Sequence, residues 1–245
     1  MRNIRVTIEY DGTAYCGWQF QANGLTIQEV LESCLARMTG EDIRIHGSGR
    51  TDAGVHAFGQ VASFMTASSL GERNILMGIN SLLPADIVIR ELREVDPSFH
   101  ARFDAKSKVY LYRICNRPVR SALERHHAWF IWEPLDLQKI REVLPVFKGV
   151  HDFASFCSTH NDSKTCVRTI LEIDVQREGD MVEISVEADG FLRYMVRTIV
   201  GTLVEAGRGK CSPADVAAIM SARDRRRAGL TAPPQGLFLR EVKYG

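Results

Sequence analysis

One order of periodicities, met twice, constrains this chain more than any other feature. Apolar and polar residues alternate over 3–10 (NIRVTIEY), which predicts a half-buried strand. Thr26 and Glu29 form a capping box that opens a helix carrying Ile27, Val30, Leu31, Cys34, Leu35 and Met38, and Gly40 ends it. Strands are predicted over 42–46 and 58–65, a helix over 72–83 stopped by Pro84, and a strand over 86–95. The same order then returns. A strand over 107–115 is followed by a helix over 136–147 capped by Asp136, and by strands over 167–176 and 180–187 around a turn at Gly179. A long helix over 191–206 places Phe191, Met195, Ile199 and Leu203 at every fourth position, and 236–243 is a final strand. Ser212 and Pro213 open a short extra helix reaching Ser221. Each half thus spells β-α-β-β-α-β, the ferredoxin-like split βαβ pattern. Internal duplication is the simplest account, although the halves share no obvious residue identity. The expected fold is α+β: two ferredoxin-like halves, 1–104 and 105–245, joined into an extended antiparallel sheet with helices on one face and a cleft on the other.

Bulk properties narrow the function classes. No apolar run approaches the roughly 20 residues of a membrane helix. The opening MRNIRVTIEYDG runs straight into strand alternation without an apolar signal core, so a soluble, cytoplasmic protein is expected. The six cysteines lack CxxC pairs and read as reduced thiols. His151, Cys157, His160 and Cys166 do not have the ligand spacing of common zinc modules, so no metal is expected. Net charge is only +1, so any surface for a polyanion must be a local patch. Arginine supplies 24 of the 31 basic residues, which suits phosphates and base edges; a general bias toward arginine accounts for it equally well.

The least core-like segment of the first half is 46–60, HGSGRTDAGVHAFGQ, with four glycines, two histidines, Arg50 and Asp52. Glycines let such a loop turn sharply and bring its backbone close to a ligand. Arg50 and Asp52 are two apart, so in extended backbone both point to one side, and the guanidinium favours the ionised carboxylate. An oriented, ionised Asp is what covalent catalysis at a sugar or pyrimidine uses. A glycine-rich hairpin with a surface ion pair is the alternative reading of the same residues.

GRTDAGVH resembles the active-site motif of the tRNA pseudouridine synthase A family. Tyr10-Asp11-Gly12-Thr13 and Gly17-Trp18-Gln19 resemble its N-terminal segments, and Phe99-His100-Ala101-Arg102-Phe103 with 108–113 (KVYLYR) its central motif. Segments 149–153 (GVHDF), 191–197 (FLRYMVR) and 232–237 (APPQGL) extend the likeness in consistent order along nearly the whole chain. The resemblance implies an isomerase that converts uridine to pseudouridine at positions 38, 39 and 40 of the tRNA anticodon arm, working as a homodimer with no cofactor. Agreeing with this, neither a GxGxxG nor a GKS/T phosphate loop occurs in the chain. Residue by residue, the resemblance makes Asp52 the nucleophile, Arg50 the residue that takes the place of the extruded base, Tyr110 the ring that packs on the target uracil, and Arg197 the partner of the catalytic carboxylate. His56 and Arg193 are expected to bind substrate, and the cleft to bind RNA. Further positive charge for tRNA is expected from Arg208, Lys210 and the cluster Arg223, Arg225, Arg226, Arg227; a solvated helix end reads the same way. Without the resemblance, Tyr110 reads first as a core strand tyrosine, and the two helix arginines equally as a solvated face. Two rival classes are a non-catalytic RNA-binding module and a glycosidase, which requires a second carboxylate; Asp11 and Asp104 are the candidates for that role.

Overall fold

The computed structural model describes residues 1–159 and 164–245. The chain divides into two compact units, Met1–Lys106 with Phe238–Gly245, and Ser107–Leu237. The last strand therefore joins the first unit, whereas its place in the sequence puts it in the second half.

In the first unit, strand β1 (Arg2–Tyr10) buries Ile4, Val6, Ile8 and Tyr10 and leaves Arg5, Thr7 and Glu9 half-buried, as the alternation requires. Helix α1 (Ile27–Thr39) starts where the Thr26 side chain accepts from the Glu29 N–H, and stops at Gly40 in the left-handed conformation, φ 75°. Strand β2 is only His46–Gly47. The expected strand over 42–46 does not form, for a specific reason. Ile43 and Ile45 are buried, but the Ile45 N–H donates to Glu32 Oε1 (3.0 Å) and its carbonyl accepts from Gln28 Nε2 (3.2 Å). Side chains of α1 therefore hold this backbone where a ladder was predicted. Strand β3 (His56–Thr66), helix α2 (Glu72–Leu82) and strand β4 (Ile87–Val95) follow. β1 lies antiparallel between β3 and β4, α2 packs along β4, and α1 touches α2.

In the second unit, β5 (Ala105–Asn116) pairs antiparallel with β9 (Met181–Ala188), β9 with β8 (Val167–Glu178), and β8 with β7 (Gly149–Asp152). The short β6 (Trp129–Ile131) runs parallel to the far end of β5. β6 and β7 are additions to the expected order, each too short to show a period. α3 (Leu137–Phe147), capped by Asp136, packs on β8, on α4 (Met195–Gly207) and on α5 (Pro213–Ala222). α4 begins four residues later than its apolar stripe predicts. Tyr194 sits in the left-handed region at φ 68°, and the Arg193 carbonyl accepts from Ser158 N–H (2.9 Å), so both residues fall outside the helix. The final strand β10 (Leu237–Tyr244) lies parallel to the start of β3, Phe238 opposite His56 and Leu239 opposite Ala57.

The chain is α+β. No helix among the described residues is long and apolar enough to cross a membrane.

Candidate active site

Loop 47–55 links β2 to β3, and its backbone is held from behind by two segments after β1. Thr51 and Asp52 face Gly17: the Thr51 carbonyl accepts from Trp18 N–H (3.1 Å), and a Cβ on Gly17 would come within 2.5 Å of that carbonyl oxygen. Gly17 is also left-handed, φ 88°, so only glycine suits both its dihedral and its contact. The Gly54 N–H donates to the Tyr15 carbonyl at 3.3 Å. At Gly12 the approach is closer still, since a Cβ there would lie 2.0 Å from the Val55 carbonyl oxygen. The Tyr10 hydroxyl is 2.8 Å from Thr51 Oγ1 in a fully buried pair, and burial pushes the phenol well above its usual range. Deeper in the loop, Ser48 Oγ donates to Gln60 Oε1 (2.7 Å) and Gln60 Nε2 to the Gly49 carbonyl (3.0 Å).

With its backbone so fixed, the loop presents Arg50 exposed and Asp52 half-buried. Asp52 is therefore not sealed in the interior. His56 sits differently. It is 1% exposed and stacks on Phe238 with ring centroids 4.7 Å apart. Its Nδ1 accepts from Gly12 N–H at 3.0 Å and lies 3.1 Å from Asp11 Oδ1. With Nδ1 accepting from Gly12 N–H, the neutral ring carries its proton on Nε2; an Nδ1–H would instead donate to Asp11. Asp11 in turn accepts from Thr13 N–H (2.9 Å) and Thr13 Oγ1, which shapes the turn over His56.

The second unit gathers the other expected residues. Tyr110 lies on β5 opposite Val186, 7% exposed, with Phe191 meeting its ring edge-on at 4.9 Å. Arg197, on the first turn of α4, is held twice by one residue: its Nε donates to the Ala232 carbonyl (2.7 Å) and its own carbonyl accepts from Ala232 N–H (3.0 Å). Tyr112 donates to the Pro233 carbonyl (2.7 Å), and a Cβ on Gly236 would meet its ring at 2.7 Å. Segment 232–237 thus clamps β5 and α4 by backbone contacts. Tyr194 carries the guanidinium of Arg197 5.0 Å from its ring centroid and that of Arg193 at 4.9 Å, and Arg193 also donates to its hydroxyl (3.1 Å). A non-glycine residue held in the left-handed region beside two arginines is a strained position of the sort found at binding sites. Tyr194 falls within the resembling segment 191–197, but its left-handed conformation is visible only in the structure.

The arginine cluster expected to meet tRNA is largely engaged with the protein's own groups. Arg223 pairs with Asp152 (3.0 Å) and Arg226 with Asp224 (2.7 Å). Arg225 donates to the Gly229 carbonyl (3.0 Å) and Thr231 Oγ1 (2.7 Å). Arg208 bridges Glu205 and Glu133, and Lys210 reaches Glu205 (3.5 Å). The solvated-face reading describes these residues better than the RNA reading. In the four-residue set considered for zinc, His160 lies outside the described residues, and His151 uses Nε2 on the Lys148 carbonyl (2.9 Å). Cys157 and Cys166 have sulfurs 3.9 Å apart, and burial followed by the neighbouring Cys166 pushes the Cys157 thiol up to about 12.

Residues 6–104 and 145–245 match the family model described as tRNA pseudouridine synthase. The tRNA pseudouridine synthase A of Citrifermentans bemidjiense is 50% identical over 100% of this chain and 98% of its own length. That of Geotalea daltonii is 48% identical and that of Acetivibrio thermocellus 46%, each with both chains fully covered. At that identity over the full length, with the family model covering both halves, the chain belongs to the tRNA pseudouridine synthase family and is an isomerase.

Proposed function

We propose that this isomerase converts uridine to pseudouridine at positions 38, 39 and 40 of the tRNA anticodon arm, with Asp52 as nucleophile. One observation carries the reading: the half-buried Asp52 stands beside exposed Arg50 on a loop whose backbone is fixed from behind by Tyr10, Gly12, Gly17 and Trp18. A fixed backbone with a carboxylate that is half-buried rather than sealed is the preorganised nucleophile that this chemistry needs.

The reaction breaks the N1–C1′ bond and joins C1′ to C5; the hydrogen on C5 leaves to solvent and N1 gains a proton. No electrons are gained or lost, so these residues need only position, stack and move protons. A base inside a stem cannot reach Asp52 until it is flipped out, and Arg50, exposed and two residues away, is suited to fill the gap. Tyr110 supplies a ring for the extruded uracil, worth about 1–3 kcal/mol of stacking at comparable sites. Arg197, on the first turn of α4, is assigned as the charge-assisted partner of the catalytic carboxylate. Arg193 and Tyr194 line the approach for RNA. His56, buried on Phe238, supports the loop through Gly12 and does not itself touch RNA. The working form is a homodimer, so that one copy grips the tRNA body while the other handles the target.

Tritium release from tRNA labelled at uracil C5 tests the reading. Wild type is expected to release label, and Asp52→Asn to fall by at least about 1000-fold, the scale of losing a nucleophile. Equal release from both removes Asp52 from the chemistry, and free uracil in the products marks a hydrolase instead.

A further inference from the structure

Turn 100–104 presents an aromatic side chain to solvent in a way the catalytic machinery does not use. Phe103 is 75% exposed. Isolated exposed apolar residues are ordinary and carry little meaning. This one is held in a fixed frame. The His100 ring packs against it with centroids 4.3 Å apart, and the Arg102 guanidinium stands 5.9 Å from its centroid. The His46 ring lies 5.4 Å from that of His100 and extends the surface to the residue that opens the Asp52 loop.

The turn beneath is tightly specified. The His100 carbonyl accepts from both Phe103 N–H and Asp104 N–H (3.1 Å each), His100 N–H donates to Asp104 Oδ2 (2.7 Å), and His100 Nδ1 accepts from Arg102 N–H (3.1 Å). Ala101, fully buried, fastens the turn to the sheet, its N–H donating to Ser63 Oγ (3.2 Å) and its carbonyl accepting from Tyr244 Oη (2.6 Å). Ser63 is also the register partner of His46, so turn and loop are anchored to the same residue. An exposed ring whose orientation is fixed by its own turn, with an exposed arginine beside it, meets the physical requirements of a base-stacking platform: a π-face for the base and a cation for the adjoining phosphate.

We infer that Phe103, framed by His100 and Arg102, stacks an unpaired base of the tRNA while Arg102 contacts the neighbouring phosphate. This site is separate from the target uridine and secures the RNA beside the Asp52 loop. It deepens the proposed function and rests on RNA being the substrate.

The test measures equilibrium binding of a tRNA transcript by fluorescence anisotropy, together with tritium release. Phe103 is mostly solvent-exposed, so Phe103→Ala should leave the unfolding midpoint in place while weakening tRNA binding by between about 5-fold and 100-fold, the loss of one stack. Phe103→Trp should restore affinity. Arg102→Gln should lower the slope of log affinity against log salt by about one. Affinity of Phe103→Ala within twofold of wild type overturns the inference. So does a change in sedimentation with RNA affinity unchanged, which would make the ring a contact between copies of the chain. Binding is read without turnover, so an active Asp52→Asn enzyme would sink the proposed nucleophile and leave this result standing, while weak binding by Phe103→Ala alone concerns only the platform.

Discussion

The Asp52 loop and the arginine-rich segment 205–231 both set arginine among small residues, the loop with its one arginine balanced by one aspartate and the segment with a basic excess. In the structure they are opposites. In the loop the backbone is held: the carbonyls of Gly49 and Thr51 and the N–H groups of Ser48 and Gly54 have protein partners, while Arg50 is exposed and Asp52 half-buried. In 205–231 the side chains themselves do the holding, with Arg208, Lys210 and Arg226 on carboxylates and Arg225 on a carbonyl and a hydroxyl. Charge counted along a sequence is therefore not charge offered to a ligand. A segment is prepared for chemistry when its backbone is satisfied from within.

The sharpest way to break this contrast is to move the loop without touching its charges. Gly12→Ala forces the Val55 carbonyl, 2.0 Å from the new carbon, to shift, and Val55 is itself buried. Overpacking against backbone costs about 1–3 kcal/mol or more. Turnover should fall about 100-fold, because a displacement near 1 Å at a reacting group costs that much. Circular dichroism melts with tritium release would show both; unchanged turnover would mean the loop is not positioned from behind. Tyr10→Phe is milder. It removes the buried bond to Thr51 Oγ1, which should cost about 1 kcal/mol of stability and about tenfold in kcat with KM little changed.

What the sequence discloses and what it hides separate along the same line. α1, α3 and α5 are legible because Thr26, Asp136 and Ser212 each cap their own helix through bonds to N–H groups two or three residues on. Local rules fail wherever a distant group decides. Ile45 leaves its predicted strand because Glu32 and Gln28 bind its backbone. α4 starts late because Tyr194 is left-handed and Arg193 is tied to Ser158. β10 joins the first unit through parallel pairing with His56 and Ala57, across a separation no periodicity records. Motif resemblance alone singles out Asp52, Arg50 and Tyr110 as candidates, whereas the contacts of Tyr10 and Gly17 emerge only from what each touches across the fold.

Two smaller effects sharpen the other side of the comparison. Arg225 is half-buried, and burial lowers its pKa below the usual guanidinium value. Arg225→Gln should leave the Gly229 carbonyl short of a partner and cost about 1–3 kcal/mol in a denaturant melt, with tRNA affinity within twofold. An affinity loss without a stability loss would return this arginine to the RNA surface.

The smallest effect belongs to Asp224, whose carboxylate is held down to about 2, first by its bond from the Arg226 side chain and then by the Arg226 backbone N–H. Its folded pKa is depressed below the unfolded value near 4. Whatever stability it contributes is thus fully present above about pH 4 and lost as pH falls toward 2. The fork is solvent-exposed on the arginine side, so that contribution is small at neutral pH and shrinks with salt. Asp224→Asn should leave the neutral-pH midpoint nearly unmoved and flatten the acid limb of a melting-temperature profile between pH 4 and 2. It also frees Arg226 from its counter-charge. If tRNA affinity then rises and its salt dependence steepens, Asp224 is what keeps this arginine away from RNA; if affinity is unchanged, the segment lies away from the bound tRNA altogether.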